Sequence, residues 1–439
     1  MRLFVWGLAA GSMVLTAAPK EVTFHKSVEP ILQERCQGCH RPGEAAPMSL
    51  LSYKEARPWA KAMKDAVLLK KMPPWYADPA HGSFSNDRRL SKEEVDTLVA
   101  WADSGAKEGN AADAPPARTF TEGWVMGKPD KVVQMPEPFH VPASGTVEYT
   151  YIVVPTGFTE DTWVQQVEVR PGNRSVVHHV VVLVRPPGVK YMADAKPGVP
   201  YVPPKDPDDG QRRPDTGQGQ FMFTGSLQMV GVYVPGGDPY ILKPGQARFI
   251  PKGSDIVFQM HYTSNGKAGD DQSKIGFILA KEPPKERVVN TFVGNTNFRI
   301  PPQDGDYAVH ARVTLYDQAT LLSVFPHMHV RGKAMMYRAT YPSGETETLA
   351  DIPKYDFNWQ LSYYFKEPKV LPKGTVLEVI AKFDNSPNNR SNPDPTKEVF
   401  WGDQTWEEMV AGFVDFAMPV TTTMRDIAAP KKPAPKAGN

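Results

Sequence analysis

Cys36, Cys39 and His40 form a Cys-x-x-Cys-His motif, and these cysteines are the only two in the 439-residue chain. This motif is the attachment signature of c-type haem. Its spacing lets both thiols reach the vinyl groups of one porphyrin, and the histidine can bind the iron. A thioredoxin-like redox pair would need a βαβ context, and a zinc site would need two further ligands at metal spacing. The sequence therefore predicts one covalently bound haem c.

A second axial haem ligand is expected after this motif. Met72 lies in the rigid Met-Pro-Pro turn of "KKMPPWY", and Met/His ligation raises the haem potential and suits electron transfer. Met48 and Met63 are rivals, although Met63 lies in a segment typical of a helix with core methionines. The order of these motifs resembles the class I cytochromes c over residues 20–108.

Three histidine patterns in the rest of the chain could bind a metal. "VVHHVVV" contains His178 and His179, "FQMHYTSNG" contains His261, and "FPHMHVRG" contains His327 and His329. Histidines two apart on a strand face the same side and can share an ion, whereas adjacent ones need a strand end or a β-bulge. His261 alone would be read as a core residue, but together the patterns predict metal binding. Zinc, copper, iron and nickel all accept imidazole, so the histidines do not choose among them.

Local patterns indicate the elements that position these residues. The segment before residue 108 reads as helical, and "SKEEVDTLVAWADSGA" opens with a capping box of Ser91 and Glu94. After a Pro/Ala-rich linker the apolar period changes to two, which predicts antiparallel sandwiches. The expected fold is a small all-α cytochrome c domain followed by two all-β antiparallel sandwich, jelly-roll-like domains. The expected divisions are a signal peptide (1–18), the cytochrome c domain (20–108), a linker (109–120), two copper sandwiches (121–290 and 291–425) and a disordered tail (426–439).

The first residues, "MRLFVWGLAAGSMVLTAAPK", have the order of a secretory signal. We therefore expect a periplasmic or secreted protein, with an uncleaved membrane anchor as the alternative. The apolar run is short for a span, and no later run is long enough, so no stable membrane insertion is expected. The net charge of +1, without a long basic run, argues against a nucleic-acid partner.

The histidine patterns, followed by "WEEMVAGFVDF", resemble in order the copper type II, ascorbate-dependent monooxygenases, which include the peptide-amidating and dopamine-hydroxylating enzymes. The resemblance covers about residues 120–420, and its short motifs are specific only in combination. It implies two β-sandwiches with one copper ion each. The electron-transferring copper would be held by His178, His179 and His261, and the copper that binds and activates O₂ by His327, His329 and Met409.

The chain departs from that family at three points. It has no cysteines for the disulfides of the animal members. Phe325 stands where the peptide-amidating enzymes place an arginine for the substrate carboxylate, and Phe413 where they have a tyrosine. These differences argue against a peptide glycine substrate and favour an apolar or aromatic one.

The combined expectation is an exported monooxygenase that hydroxylates a C–H bond of a small molecule with O₂. Its electrons would come from an external donor, either a redox protein or a small reductant, by way of the haem. The alternative is a periplasmic haem electron carrier or copper-binding protein without oxygen chemistry, and zinc in the same ligands is a third possibility. The four remaining histidines, which receive no role, are His25, His81, His140 and His310.

Overall fold

The computed structural model describes residues 21–44, 46–121, 123–204, 216–222, 227–237, 239 and 241–430. The predicted signal peptide lies outside the described residues, as does the predicted tail from residue 431 onward. The chain divides into two compact units. The first comprises Met1–Arg41, Met48–Met72 and Leu90–Arg118, and the second comprises Pro42–Pro47, Pro73–Arg89 and Thr119–Asn439.

Short helices build the first unit around a small apolar core that includes Phe24, Leu32 and Trp101. The predicted capping box is confirmed, since the Ser91 hydroxyl accepts the Glu94 N–H and the Glu94 carboxylate accepts the Ser91 N–H. Among the described residues, no helix has both the length and the apolar character needed to cross a membrane. The helices of the chain are a π-helix (Phe24–Val28), α1 (Glu29–Arg35), α2 (Tyr53–Ala56), a 3₁₀ turn (Arg57–Trp59), α3 (Ala60–Leu68), α4 (Lys92–Asp103), a second 3₁₀ turn (Ala111–Asp113) and α5 (Met424–Ala428).

The second unit is built from strands, as the period-two patterns indicate. The strands are β1 (Lys131–Gln134), β2 (Phe139–Val141), β3 (Thr150–Pro155), β4 (Thr162–Arg170), β5 (Val177–Arg185), β6 (Gln220–Phe221), β7 (Gln228–Tyr233), β8 (Gln246–Ile250), β9 (Asp255–Tyr262), β10 (Gly269–Asp271), β11 (Lys274–Leu279), β12 (Glu286–Gly294), β13 (Arg299–Ile300), β14 (Tyr307–Thr314), β15 (Ala319–His327), β16 (Gly332–Thr340), β17 (Thr346–Ile352), β18 (Tyr363–Leu371), β19 (Val376–Phe383), β20 (Val399–Phe400) and β21 (Ala411–Pro419).

Thirteen of these strands form one hydrogen-bonded sheet, and a four-stranded sheet has the order β14-β19-β16-β17. Within the large sheet, β5 pairs with β7 and β9, and β9 pairs with β3. These strands form a first group, and β15, which pairs with β18 and β21, forms a second group with them. Strand β12 joins the two groups because it pairs with β21 and also with β7 and β8.

The prediction of an all-α domain followed by two separate sandwiches is wrong. The structure is mostly β, with 35% strand and 12% helix, its helices are short, and the described residues contain no large all-α domain. Strands from both predicted sandwich ranges belong to one sheet. A period of two identifies a strand but not its partner, because pairing depends on residues distant in sequence.

Two shorter segments also differ from the pattern. Trp75 and Phe84, from the region read as helical, pack against Tyr363 of β18 in the second unit. The tail predicted to be disordered from residue 426 overlaps α5, whose Ile427 is fully buried. In both cases buried apolar side chains hold the segment in place, although its apolar residues do not recur at a helical or strand spacing.

Candidate metal centre

A β-bulge in β5 brings the adjacent histidines to one side. His179 pairs with His261 of β9 and Val177 pairs with Tyr262, so the register shifts at His178. An extra residue in one strand re-aims its side chain. The valine-rich run of β5 is buried on both faces, which holds the strand firmly beside β9. A bulge, one of the two arrangements that let adjacent histidines share an ion, is therefore present.

Three imidazole nitrogens converge at this bulge. Nδ1 of His178 lies 3.1 Å from Nδ1 of His179, which lies 3.4 Å from Nδ1 of His261. The candidate ligand atoms all lie within 4.8 Å of one another. Nitrogens bound to one metal ion at about 2.0–2.1 Å must lie this close together. The three side chains are therefore placed to share one ion.

The HxH pair lies at the end of β15 rather than within a strand. His327 is the last residue of β15 and pairs with Ala411, whereas His329 follows the strand. The same-side argument for histidines two apart on a strand therefore does not apply to His329, which lies just beyond the strand end. Their ring centroids are nevertheless only 5.2 Å apart, with the planes at 87°.

Hydrogen bonds fix both rings of this pair. Nδ1 of His327 donates to Oε1 of Gln360 at 2.6 Å, and Nδ1 of His329 donates to the Glu407 carbonyl at 3.1 Å. These acceptors place the ring proton on Nδ1 and leave the lone pair on Nε2. Metal-binding histidines are commonly oriented in this way.

The turn after His327 is held by two buried side chains. The Glu408 carboxyl accepts the backbone N–H groups of His329 at 2.9 Å and Arg331 at 2.6 Å. The Tyr355 hydroxyl donates to the Met328 carbonyl at 2.6 Å. A Cβ on Gly332 would lie 2.6 Å from the Met328 side chain, so glycine is required at this close approach.

Met409 lies beside the HxH pair in the fold. It comes two residues before Ala411, the residue paired with His327. Its side chain is partly buried against an apolar cluster that includes Phe325 and Phe413. The loop that carries it also supplies the Glu407 carbonyl and the Glu408 carboxyl. This position is compatible with the predicted thioether ligand.

The two predicted sites share one buried pocket. The ring centroids of His179 and His327 are 6.1 Å apart. Tyr149 lies between the sites, since its ring stacks on His261 at 4.6 Å and lies 6.3 Å from His329. Its hydroxyl is 3.3 Å from Nε2 of His179 and can accept that N–H when Nδ1 binds a metal.

Burial keeps these histidines neutral at physiological pH. Burial lowers the pKa of His178 and of His327 to about 4 and that of His329 to about 3. It also holds the pKa values of His179 and His261 well below the usual range. Neutral imidazole is the form that binds metals, so the pocket needs no proton release before it takes an ion.

Burial acts in the opposite direction on the nearby carboxyl. It raises the pKa of Glu408 to about 8, although the N–H groups that it accepts oppose the change. Desolvation disfavours the charged form of any group, so a buried acid and a buried base shift in opposite directions. The five imidazoles and the Glu408 carboxyl are thus largely uncharged at neutral pH, and Arg331 is a charged group beside them.

The predicted haem site lies in the first unit. The two cysteines are not joined in a disulfide, and the backbone N–H groups of Cys39 and His40 both donate to the Cys36 carbonyl, so one tight turn carries the motif. Burial raises the pKa of Cys36 to about 12. Burial also lowers the pKa of His40, and the Met48 carbonyl partly offsets this. The Cys36 thiol and the His40 imidazole are therefore uncharged, and they share one turn with Cys39.

The methionines of the first unit differ in their packing. Met63 packs against the apolar core. Met72 is half-buried at the end of the segment after α3, where its N–H donates to the Ala66 carbonyl at 3.4 Å. Its role as an axial ligand remains a prediction.

The histidines without an assigned role lie outside the pocket. His25 pairs with Glu29, His140 with Asp270, and His310 with Glu378, each within 3 Å. His81 donates its backbone N–H to the Asp78 carbonyl.

Sequence reasoning did not find Tyr149, Gln360 or the holding role of Glu408. Tyr149 belongs to an ordinary apolar run, and Gln360 lies in a loop with no pattern of its own. Both reach the pocket only through tertiary contacts. The single sequence signal was the position of Glu408 immediately before Met409.

Comparison with known proteins does not assign the chain to a family. No family model matches the chain, and no curated protein matches it. Solved structures that match include the infectious bursal disease virus Gx strain, with 8% identity, a TM-score of 0.19 and coverage of 69% of this chain and 75% of that one. The VP2 subviral particle of that virus matches with 10% identity, a TM-score of 0.20 and coverage of 69% and 75%. Similarity this low carries no argument about fold or function.

Proposed function

We propose that the chain is an exported copper-dependent monooxygenase. It would hydroxylate a C–H bond of a small organic substrate with O₂, using electrons from a covalently bound c-type haem. The observation that carries this proposal is the buried pocket of five neutral histidines with Met409 beside it. Hydroxylation consumes O₂, two electrons and two protons, and yields the alcohol and water. When bound, copper and haem supply the electron transfer and the oxygen chemistry.

The donor atoms of the first site are placed to share one ion, and those of the second site are of types that copper accepts. His178, His179 and His261 offer three nitrogens that are already close together and uncharged. The second site combines two imidazoles with a nearby thioether, and thioether ligands favour Cu(I) over zinc. Two sites with different donor sets also suit two different tasks, electron transfer and O₂ chemistry.

The surrounding side chains orient the ligands and exclude water. Gln360 and the Glu407 carbonyl hold the HxH rings in one tautomer. Glu408 fixes the turn between them through two backbone hydrogen bonds. Phe325 and Phe413 line the apolar side. Fixed ligands reduce the rearrangement that a metal must undergo when its oxidation state changes, and an apolar wall suits an apolar substrate.

Cys36, Cys39 and His40 provide the attachment of the haem. Both cysteines lie in one tight turn and are not joined in a disulfide. A haem in the same chain as the copper sites stays at high effective concentration relative to them, whatever the external reductant is. The tether therefore supports a role of the haem as electron donor.

The experiment reduces the haem in anaerobic, copper-loaded protein and then admits O₂ with a panel of small C–H substrates. The proposal expects haem oxidation that depends on substrate, together with hydroxylated product containing one atom from ¹⁸O₂. A His329→Ala variant should form no product. His140 forms an exposed ion pair with Asp270 away from the site, so the control variant His140→Ala should still form product.

Two outcomes would contradict the proposal. Haem that stays reduced while ascorbate alone drives product formation would refute the haem relay. If the protein contains its full complement of haem and copper but takes up no O₂ in response to substrate, it is an electron carrier or a copper-binding protein instead.

A further inference from the structure

A cleft of about 500 Å³ lies beside the HxH pair in the β unit. Its size is within the range of small-molecule sites. Glu407 lines the cleft, and its carbonyl accepts the Nδ1–H of His329. The cleft therefore adjoins a predicted copper ligand.

Arg331 gives the cleft a buried cation. Only 2% of this residue is exposed. Nε donates to Oδ1 of Asn385 and Nη1 donates to the Trp406 carbonyl, both at 2.9 Å. These bonds fix the guanidinium and use Nε and Nη1, so Nη2 is the part that can donate into the cleft. A fixed guanidinium favours a planar carboxylate, because little side-chain entropy is lost on binding.

Two of the three acids that line the cleft have a cationic partner. Asp394 pairs with Lys397 at 3.3 Å, and Glu398 pairs with Arg299 at 3.4 Å. The Glu407 carboxylate accepts the Gln404 N–H at 2.8 Å. Lys397 and Arg299 thus each offset one of these carboxylates, and Asp394 also interacts electrostatically with Arg331.

Aromatic rings connect the cleft to the metal pocket. Trp401 lines the cleft and stacks on Phe292, with centroids 6.3 Å apart and planes at 15°. Phe292 contacts Phe413 at 4.8 Å, and Phe413 lies 6.2 Å from His327. Trp406 also lines the cleft. Such walls favour a planar aromatic ligand.

We propose that this cleft binds a small aromatic carboxylate, with its ring against Trp401 and its carboxylate on Arg331. The assignment of that ligand as the substrate rests on the proposed monooxygenase function, whereas the binding itself does not.

The test is calorimetric titration of benzoate into the full-length, haem-containing, copper-free protein. Benzylamine, with an opposite charge, and acetate, without a ring, are the comparison probes. We expect saturable benzoate binding that is at least about tenfold tighter than binding of either comparison probe. Arg331→Lys and Trp401→Ala should each weaken it by about tenfold, and Lys369→Gln, whose ion pair with Glu347 lies outside the cleft, should change it less than about twofold.

Absence of saturable benzoate binding, or equal affinity for benzylamine, would overturn the proposal. Unchanged affinity in both Trp401→Ala and Arg331→Lys would also overturn it. Because the copper-free protein is used and heat is measured, the result does not depend on whether the copper-loaded protein hydroxylates anything. Failure of the proposed function is therefore distinguishable from failure of this site.

Discussion

His179 and His327 lie with their ring centroids 6.1 Å apart, although they come from different strand groups of the sheet. Strand β12 joins these groups by pairing with β7 on one side and β21 on the other. Because the sheet is continuous, the position of one histidine group depends on the packing of the other. This relationship places the two predicted copper sites in one buried pocket.

Gln360→Leu should weaken copper binding at the HxH site without unfolding the protein. The 2.6 Å hydrogen bond to Nδ1 of His327 would be lost, so the ring could rotate or change tautomer. Loss of such a supporting contact typically costs about 10–100-fold in metal affinity. Competition with a copper chelator measures the change. Asn358→Ala, in the same loop and exposed, is the matched control, and an equal effect in both variants would contradict a specific role of Gln360.

Glu408→Ala should lower the free energy of unfolding by about 2–5 kcal/mol, because two buried backbone N–H groups would lose their acceptor. Glu398→Ala is the control of the same residue type on the more exposed side of the cleft, where loss of its ion pair with Arg299 should cost less than about 1 kcal/mol. Urea denaturation of both variants measures the difference. Equal and small losses would show that the Glu408 contacts contribute little to stability.

The metal-free protein should lose stability as the pH falls below about 6.5, the ordinary pKa of histidine. Burial lowers the pKa of His178 and His327 to about 4. The unfolded state therefore binds protons that the folded state does not, and each such histidine contributes about 1.4 kcal/mol per pH unit across this window. Burial raises the pKa of Glu408 to about 8, so this one group makes the folded state more stable as the pH falls. The histidines outnumber it, so acid should destabilise the fold.

Denaturation curves between pH 5 and pH 7 measure this slope. In His327→Gln the dependence of the unfolding free energy on pH should be weaker, by the amount that corresponds to about one proton fewer bound on unfolding. A stability that does not change over this window, or one that rises as the pH falls, would contradict the neutral, buried state of these imidazoles.

Met72→Ala should lower the midpoint potential of the haem by on the order of 100 mV if the thioether binds the iron, since methionine ligation raises the potential. Met63 packs in the apolar core, so Met63→Leu should leave the potential nearly unchanged. Spectroelectrochemical titration of both variants distinguishes the two methionines. A shift in Met63→Leu alone would assign the axial ligand to Met63.

Local features of the fold followed from the sequence better than long-range ones did. The capping box of α4 depends on neighbouring residues and was anticipated. The bulge at His178 is one of the two arrangements, a strand end or a bulge, that the sequence left open. The pairing of strands from both predicted sandwich ranges into one sheet was not anticipated, because β12 pairs with strands far from it in sequence. The insertion of Trp75 and Phe84 beside β18 has the same cause.

The candidate site divides in the same way. Its histidines were recognisable because metal ligands have a characteristic residue type and spacing. The residues that orient them were not, because Gln360 and Tyr149 have no spacing relative to the ligands. His329 also lies in a turn rather than on a strand, since Glu408 and Tyr355 hold that segment after β15 ends. Supporting contacts of this kind come from tertiary structure alone.

The most direct test of the central claim is the copper content per covalently bound haem, measured in the full-length protein and in His261→Ala and His329→Ala variants. We predict two copper ions per haem in the unaltered protein and one in each variant, because the two ions have separate ligands. One copper or none in the unaltered protein, or zinc retained in preference to copper, would contradict the two-copper account.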